Sequence, residues 1–301
     1  RHDGCFTLEA SGGDHIYNAR QADEVRHRLH GITNYDSLTK VFDTYDFSYY
    51  RDNRLLATFA FSPVVGLRLS AGWRLHRRNL LQWNEVAAAN GMARTLTGFA
   101  PRLSVSWTPA LYHYRDGNGH AVPLHSKWPT FMVDYERGLS TFNASTSYER
   151  IETDVQYTLP LYALRALYFR GGCGFFTRRG PDCFLDYDYF RNNHLFGNWH
   201  DELSGQFQLL DARWYNESRH YVRLSAAYES PMMLFSRLRW LTRVVQKERI
   251  YINLLNVGTL GYYSEWGYGL STPIVDVAGF IALAGHSQTG IGVKFVLRLG
   301  D

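Results

Sequence analysis

Twelve histidines, three cysteines and many serines supply potential bases and nucleophiles, but no spacing assembles them. Gly-x-Ser-x-Gly, His-Glu-x-x-His, phosphate-loop and helix-opening Gly-x-Gly-x-x-Gly patterns do not occur. A lipase-like surface site would need a Ser, a His and a polar orienter to meet, and nothing selects such a set, so the chain is expected not to be an enzyme. Asp182, Asp186 and Asp188 suggest a calcium loop but lack the glycine and the terminal glutamate of an EF-hand; they read as a solvated loop. Cys5, Cys173 and Cys183 show no metal-binding spacing, and no metal or cofactor is expected. Cys173 and Cys183 flank the turn signal Arg178-Arg179-Gly180-Pro181. A turn there sets Cys173 opposite Asp186, which favours reduced, half-buried cysteines over a cross-strand disulfide.

The charged residues do carry a pattern. Arg68, Arg74, Glu152, Asp154, Arg223, Glu229, Lys294 and Arg298 fall on the polar side of segments whose other side is apolar. A wall of mixed sign like this can close a lumen with ion pairs. The chemistry it implies is electrostatic, and it requires strands. Leu67, Leu69, Ala71, Trp73 and Leu75 alternate with Arg68, Ser70, Gly72, Arg74 and His76, and the split recurs at 102–108, 151–159, 222–229 and 291–299.

Strands of soluble sandwiches run nearer five or six residues, whereas a strand crossing a bilayer at about 45° needs roughly 9 to 11. The segments here have the longer length. Tyrosines collect near their ends, at Tyr45, Tyr49, Tyr50, Tyr112, Tyr114, Tyr187, Tyr189, Tyr262 and Tyr263, where an interfacial girdle would sit. Aromatic residues make up 16% of the chain, more than an ordinary cytosolic domain needs. Helical spans are excluded, because every apolar run is broken well short of about 20 residues.

The expected fold is therefore all-β: a closed antiparallel transmembrane barrel of about 14 to 16 strands over residues 41–301, with 1–40 an irregular lead-in or one long loop. Candidate strands lie near 41–50, 54–62, 66–77, 80–90, 100–113, 128–136, 147–160, 164–177, 182–190, 203–216, 219–230, 247–257, 262–271, 273–284 and 288–299. Of these, 80–90 and 203–216 are the weakest. One stretch changes period. Leu234, Leu238, Leu241 and Val245 recur at helical spacing after Ser230-Pro231, with Arg237, Arg239 and Arg243 around them, predicting a short amphipathic helix at 232–246. If both chain ends are periplasmic, that helix and the turn at Ser271-Thr272-Pro273 are periplasmic too, and the turn at Gly285-His286-Ser287 is external.

With 32 basic and 28 acidic residues, no phosphate-tracking stripe forms and no nucleic-acid partner is expected. The chain starts at Arg1 with no apolar segment after it, so a signal peptide is not expected among these residues.

From Phe99 onward the chain resembles a family of Bacteroidota outer-membrane β-barrels of uncharacterised function. The carrying segments are 99–109 (FAPRLSVSWTP), Tyr148-Glu149-Arg150, Gly174-Phe175-Phe176-Thr177, 207–216 (FQLLDARWYN), Tyr228-Glu229-Ser230-Pro231, Lys247-Glu248-Arg249 and 265–269 (EWGYG). Full-length members of that family usually carry an N-terminal carboxypeptidase-regulatory-like sandwich, which is missing from this sequence. A second likeness concerns the barrel insertases and two-partner secretion transporters, whose Arg-Gly-aromatic loop folds into the lumen ahead of five final strands. Arg213-Trp214-Tyr215 is similar to that motif, but Trp214 replaces the glycine. The expected acidic partner is not evident, and Asn253 and Asn256 stand nearest.

These resemblances imply a non-enzymatic protein of the bacterial outer membrane that anchors or serves an envelope assembly, transport or secretion machine. Its partners would be membrane lipid, lipopolysaccharide and other envelope proteins. A porin-like diffusion channel and a soluble β-sandwich binding module are the alternatives. The loop from about Arg191 to Ser218 exceeds the roughly 12 to 15 residues of a simple connection. It is expected to fold inward, with Arg213 reaching Glu229 or Glu265; the competing reading makes 203–216 another strand.

Overall fold

The computed structural model describes residues 3–16, 49–80, 94–115, 121–141, 147–162, 164–179, 203–210, 219–231, 244–258, 260–285 and 287–297. Fourteen strands are present among them: β1 (Asp3–Ile16), β2 (Tyr49–Val64), β3 (Leu67–Leu80), β4 (Thr95–Trp107), β5 (Tyr112–Arg115), β6 (Ala121–His125), β7 (Thr130–Gly138), β8 (Tyr148–Pro160), β9 (Ala166–Arg179), β10 (His220–Ser230), β11 (Lys247–Val257), β12 (Gly261–Ser271), β13 (Val275–Ala284) and β14 (Ser287–Leu297). Twelve form one sheet, each pairing with its neighbour in the order β1-β2-β3-β4-β7-β8-β9-β10-β11-β12-β13-β14, and every pairing is antiparallel. β5 and β6 make a separate hairpin.

The fold is all-β, and among the described residues there is no helix. The sheet is not closed by hydrogen bonds, since β1 and β14 are its two edges. Meandering antiparallel strands leave β1 starting and β14 finishing at the same end of the sheet, here called the terminal end. The 65–66 turn, the β5–β6 hairpin and the 272–274 turn lie there too, and β10 finishes and β11 begins there. The far end carries the connection from β13 to β14 and the crossings from β1 to β2 and from β9 to β10.

Several expectations shift. The supposed irregular lead-in contains β1, paired along its whole length from Asp3↔Ser62 to Ile16↔Tyr49. Its alternation, Phe6, Leu8 and Ala10 against Thr7, Glu9 and Ser11, is brief and runs into the Gly12-Gly13 pair, which makes it weak as a strand signal. Of the segment 41–50 only Tyr49 and Tyr50 are described, and they belong with 54–62 to one strand running from Tyr49 through Val64, while 41–48 lie outside the described residues. The 100–113 segment divides at a turn where Ala110 takes a positive φ of 46°. Of the segment 203–216, residues 203–210 form turns and bends and no strand, and 211–216 lie outside the described residues. The segments 81–90 and 182–190 and most of the proposed helix at 232–246 lie outside the described residues, while 247 already belongs to β11.

Alternation sorts the sheet into two unlike faces. On one face large apolar side chains are exposed: Phe6 at 66%, Phe59 at 51%, Leu103 at 56%, Val222 at 60% and Phe295 at 68%. On the other, Glu136, Arg150, Glu152, Asp154, Arg170, Arg223 and Glu265 are buried. A sheet that covers its charges and bares its leucines has the polarity of a soluble domain reversed. Glu248 departs from the pattern: it shares the register row of the outward residues near the terminal end, yet is buried and accepts a hydrogen bond from Tyr268 Oη at 2.7 Å.

Close approach explains Gly172 and Gly174 in β9. At Gly172 an added Cβ would stand 2.5 Å from Asp154 Oδ1 and 2.8 Å from the Thr153 carbonyl oxygen, so the Asp154 carboxylate lies where a side chain would be. Gly279 on the outward face meets nothing within 4 Å. Gly172→Ala is therefore expected to lower stability by about 1–3 kcal/mol through overpacking, and Gly279→Ala to be neutral or mildly stabilising. Urea unfolding of detergent-solubilised protein measures both, and equal effects at the two sites would refute the contact.

Candidate functional site

The inward face is built from adjacent strands whose charges meet across the ladder. Asp154 on β8 is the focus. Its Oδ2 accepts from Arg170 of β9, from Nε at 3.1 Å and Nη2 at 2.7 Å, and also from Arg223 Nη2 of β10. Arg170 and Asp154 are fully buried, and Glu152, one step along the same row, is buried within electrostatic reach of Arg150 and Arg223.

A second group joins β3, β7 and β8. Arg74 donates to Glu136 Oε1 at 2.7 Å and to Tyr148 Oη at 2.8 Å, Arg150 reaches Glu136 Oε2 at 3.1 Å, and Tyr148 donates to Glu136. Beside it, Arg102 of β4 holds Asp134 of β7 at 2.7 Å. A third lies toward the terminal end. Glu229 of β10 takes Lys247 at 2.7 Å and Arg249 at 2.8 Å, and Arg249 extends to Asp276 of β13 at 3.5 Å. Taking one ion out of water costs several kcal/mol even after relaxation, so such charges persist only when partners and hydrogen bonds answer them. Asp134, Glu136, Asp154 and Glu229 each have a cation on the adjacent strand, and Asp276 takes Arg249 from two strands away.

Against this wall rests the segment 203–210, part of the long crossing from β9 to β10. It has no strand partner, and wall side chains take up its backbone groups instead. Glu265 of β12 accepts the amides of Gln208 at 2.7 Å and Leu209 at 2.8 Å while also accepting from Tyr263 Oη at 2.7 Å. Asn253 Nδ2 of β11 donates to the Gln206 carbonyl at 3.0 Å, and Arg170 Nη1 to that of Gly205 at 3.5 Å.

Apolar contacts complete the seat. Phe207 and Leu210 belong to a buried cluster with Ala100, Tyr148, Phe176, Tyr221, Leu255 and Tyr263. Leu203 packs with Ala227, Tyr251, Ala278 and Phe280. Phe207 meets Tyr263 edge-on, with ring centroids 6.0 Å apart. Leu209 reaches β14, where its Cδ2 lies 2.5 Å from the Cβ position that Gly292 leaves empty. The segment thus touches strands from β9 to β14, and its cluster extends to β4 and β8.

The sequence-derived site residues are placed unevenly. Arg74, Glu152, Asp154, Arg223, Glu229 and Glu265 share the inward face, and all but Arg74 are buried. Lys294 is half-buried opposite Ala278, and Arg68 is exposed at the terminal end. Arg213, Trp214, Tyr215 and Arg298 lie outside the described residues. The two carboxylates expected to receive Arg213 have other engagements: Glu229 faces Lys247 and Arg249, and Glu265 takes two backbone amides.

Sequence reasoning missed Glu136, Arg150 and Arg170. Their position in alternation was the available signal, obscured in β9 by glycines on both faces. Cys5 and Cys173 are free and exposed, not half-buried, and Cys173 Sγ lies 3.1 Å from Thr153 Oγ1. Cys183 and the aspartates at 182, 186 and 188 fall outside the described residues. Among the described residues no group of His, Cys, Asp and Glu has metal-binding geometry, and no helix is long and apolar enough to cross a membrane, which says nothing of crossing by strands.

The geometry defines a class: an all-β protein with a single large antiparallel sheet whose inward face is ion-paired and holds a loop segment. Residues 6–270 match the model of the C-terminal domain of a family of unknown function, DUF5686, and the chain belongs to that family. A search of curated proteins finds no match.

Glu265→Ala removes the acceptor of two backbone donors, and hydrogen bonds to a charged group contribute about 1.5–3 kcal/mol each. Chymotrypsin is expected to cut the folded variant at Phe207 or Leu210 at least tenfold faster than the wild type. Equal cleavage rates would show that Glu265 does not hold the segment.

Proposed function

We propose that this chain is an integral β-barrel of a bacterial outer membrane, non-enzymatic, whose lumen is occupied by the 203–210 segment and which anchors or serves an envelope assembly, transport or secretion machine. The observation that carries this reading is the reversed polarity of the sheet. Phe295 and Ile291 are 68% and 67% exposed on one face of β14, while Arg170 and Glu265 are 0% exposed on the other side of the sheet. Lipid is the medium that rewards an apolar exterior, and a lumen is the place where ion pairs on adjacent strands can face one another. Most strands run 10 to 16 residues, enough to cross a bilayer at the usual tilt.

In this reading β1 pairs with β14 to close the barrel. An even number of antiparallel strands makes these edges antiparallel to each other, and closure removes two otherwise open edges. The terminal end then faces the periplasm. The far end faces outward, as befits the end that carries the 17–48 and 180–219 crossings, since external loops of such barrels are the longer ones. Bacteroidota origin, a preceding carboxypeptidase-regulatory-like sandwich and kinship with barrel insertases rest on resemblance and accompany this reading as proposals.

The absence of an assembled catalytic set in the sequence and the seated segment together favour a structural or machine role over free diffusion. Planar-bilayer recording tests this. The wild type is expected to show no steady open conductance, and Glu265→Ala or Asn253→Ala to raise mean current at least tenfold by loosening the segment. Large, steady wild-type conductance would make the protein a diffusion channel. A chain that stays in solution without detergent would be a soluble module.

A further inference from the structure

On the outward face of β2, β3 and β4, near the far end, lies a groove of about 460 Å³. Alternation sets its shape. Leu55, Leu75 and Phe99 form one wall and Asn53, Arg77 and Thr97 the other. The floor is the backbone of the row between them, whose side chains turn inward. The apolar wall lies toward the middle of the sheet and the polar wall toward its end, so the groove straddles the line where the outward face changes character.

Beyond that line the polar band continues with Arg51 and Asn79, the latter accepting from Thr95 Oγ1 at 2.8 Å. Arg51 and Arg77 are both exposed. With Arg51 opposite Asn79 and Asn53 opposite Arg77, the two arginines are diagonal neighbours across the ladder, roughly 7–8 Å apart. Asp14 stands opposite Arg51 in register, whereas Arg77 stands between Asn53 and Thr97.

We propose that this groove binds a phosphorylated, acylated glycolipid of the outer leaflet. An acyl chain lies along Leu55, Leu75 and Phe99, the phosphate sits on Arg77 with Arg51 beside it, and sugar hydroxyls face Asn53 and Thr97. A phosphorylated glycolipid presents hydrocarbon beside a headgroup of sugar and phosphate, and the outward face presents the apolar row of Leu55, Leu75 and Phe99 beside the row of Asn53, Arg77 and Thr97, which joins one basic to two polar side chains. A guanidinium suits the phosphate because its planar donors bond two oxygens at once. The site rests on the barrel reading, with the far end at the outer leaflet.

The test uses the wild type, Arg77→Glu and, as a charge-matched control at the opposite end, Arg68→Glu, each folded into phosphatidylethanolamine vesicles. Flotation reports insertion. Native mass spectrometry then reports how much added phosphorylated lipid A stays bound after transfer to detergent. The wild type and Arg68→Glu are expected to retain it, and Arg77→Glu to retain at least fivefold less. Dephosphorylated lipid A and phosphatidylglycerol should be held no better by the wild type than lipid A is by Arg77→Glu, and inorganic phosphate should not displace the lipid. Equal retention by all three proteins overturns the site. So does equal retention of phosphatidylglycerol, or displacement by inorganic phosphate. If none of the three floats with the vesicles, the barrel reading itself fails, and the site with it.

Discussion

The carboxylate of Asp154, held between Arg170 and Arg223 on the next two strands, sets the terms for the rest of the sheet. Buried charges survive only where counter-charges are brought to them, and removing one partner from such a group costs about 3–5 kcal/mol. The partners come from other strands, 16 and 69 residues away in sequence, so the ladder register must be right for any of them to meet. A slip of one residue would turn β8 over. Asp154, Glu152 and Arg150 would then face outward, and Val155, Thr153 and Ile151 would turn in. The same constraint operates at Glu136, between Arg74 and Arg150, and at Glu229, between Lys247 and Arg249. Ion pairing therefore fixes which face is which, and the apolar residues take the opposite face.

The seated segment extends this logic from side chains to backbone. Amides and carbonyls carried away from bulk water must be bonded, and residues 205–209 have no strand beside them. Glu265, Asn253 and Arg170 serve as that missing strand. Around them the inward face of β11 to β13 changes from charged to apolar, with Tyr251, Leu255, Tyr263 and Phe280 buried there, which gives Leu203, Phe207 and Leu210 a surface to pack against. The charged and apolar halves of the wall thus do different work: one aligns the strands and the other holds the segment.

Much of this was legible in the sequence wherever one face was uniformly apolar. The expected segments 219–230, 247–257, 262–271, 273–284 and 288–299 coincide with β10 to β14 to within two residues at every boundary, because strict alternation there leaves one register. Legibility failed where alternation was brief and ran into glycines, as in β1. It failed again where a local turn interrupted alternation at Ala110, and where alternation occurred without a neighbour to pair with, at 203–210. At the site, Glu265, Glu229, Asp154 and Arg223 could be placed from alternation alone. Their partners could not, because which strands lie beside which, and how far each is shifted, is a property of the assembled sheet. Asn253 marks the boundary: the family likeness drew attention to its position as one where an acid was expected, and its amide donates to the Gln206 carbonyl.

The central claim is that one face of the sheet meets hydrocarbon while the other does not, and β14 is the place to test it, because Ile291, Val293, Phe295 and Leu297 alternate with Gly292, Lys294 and Val296. Spin labels on single cysteines at 291 through 297, in a background with the three native cysteines changed to serine, would report collision with oxygen and with a water-soluble nickel chelate in vesicles. The account predicts high oxygen access and low chelate access at 291, 293, 295 and 297, with the reverse ratio or no access at the positions between. Chelate access at every position, or a ratio that does not alternate, would contradict it.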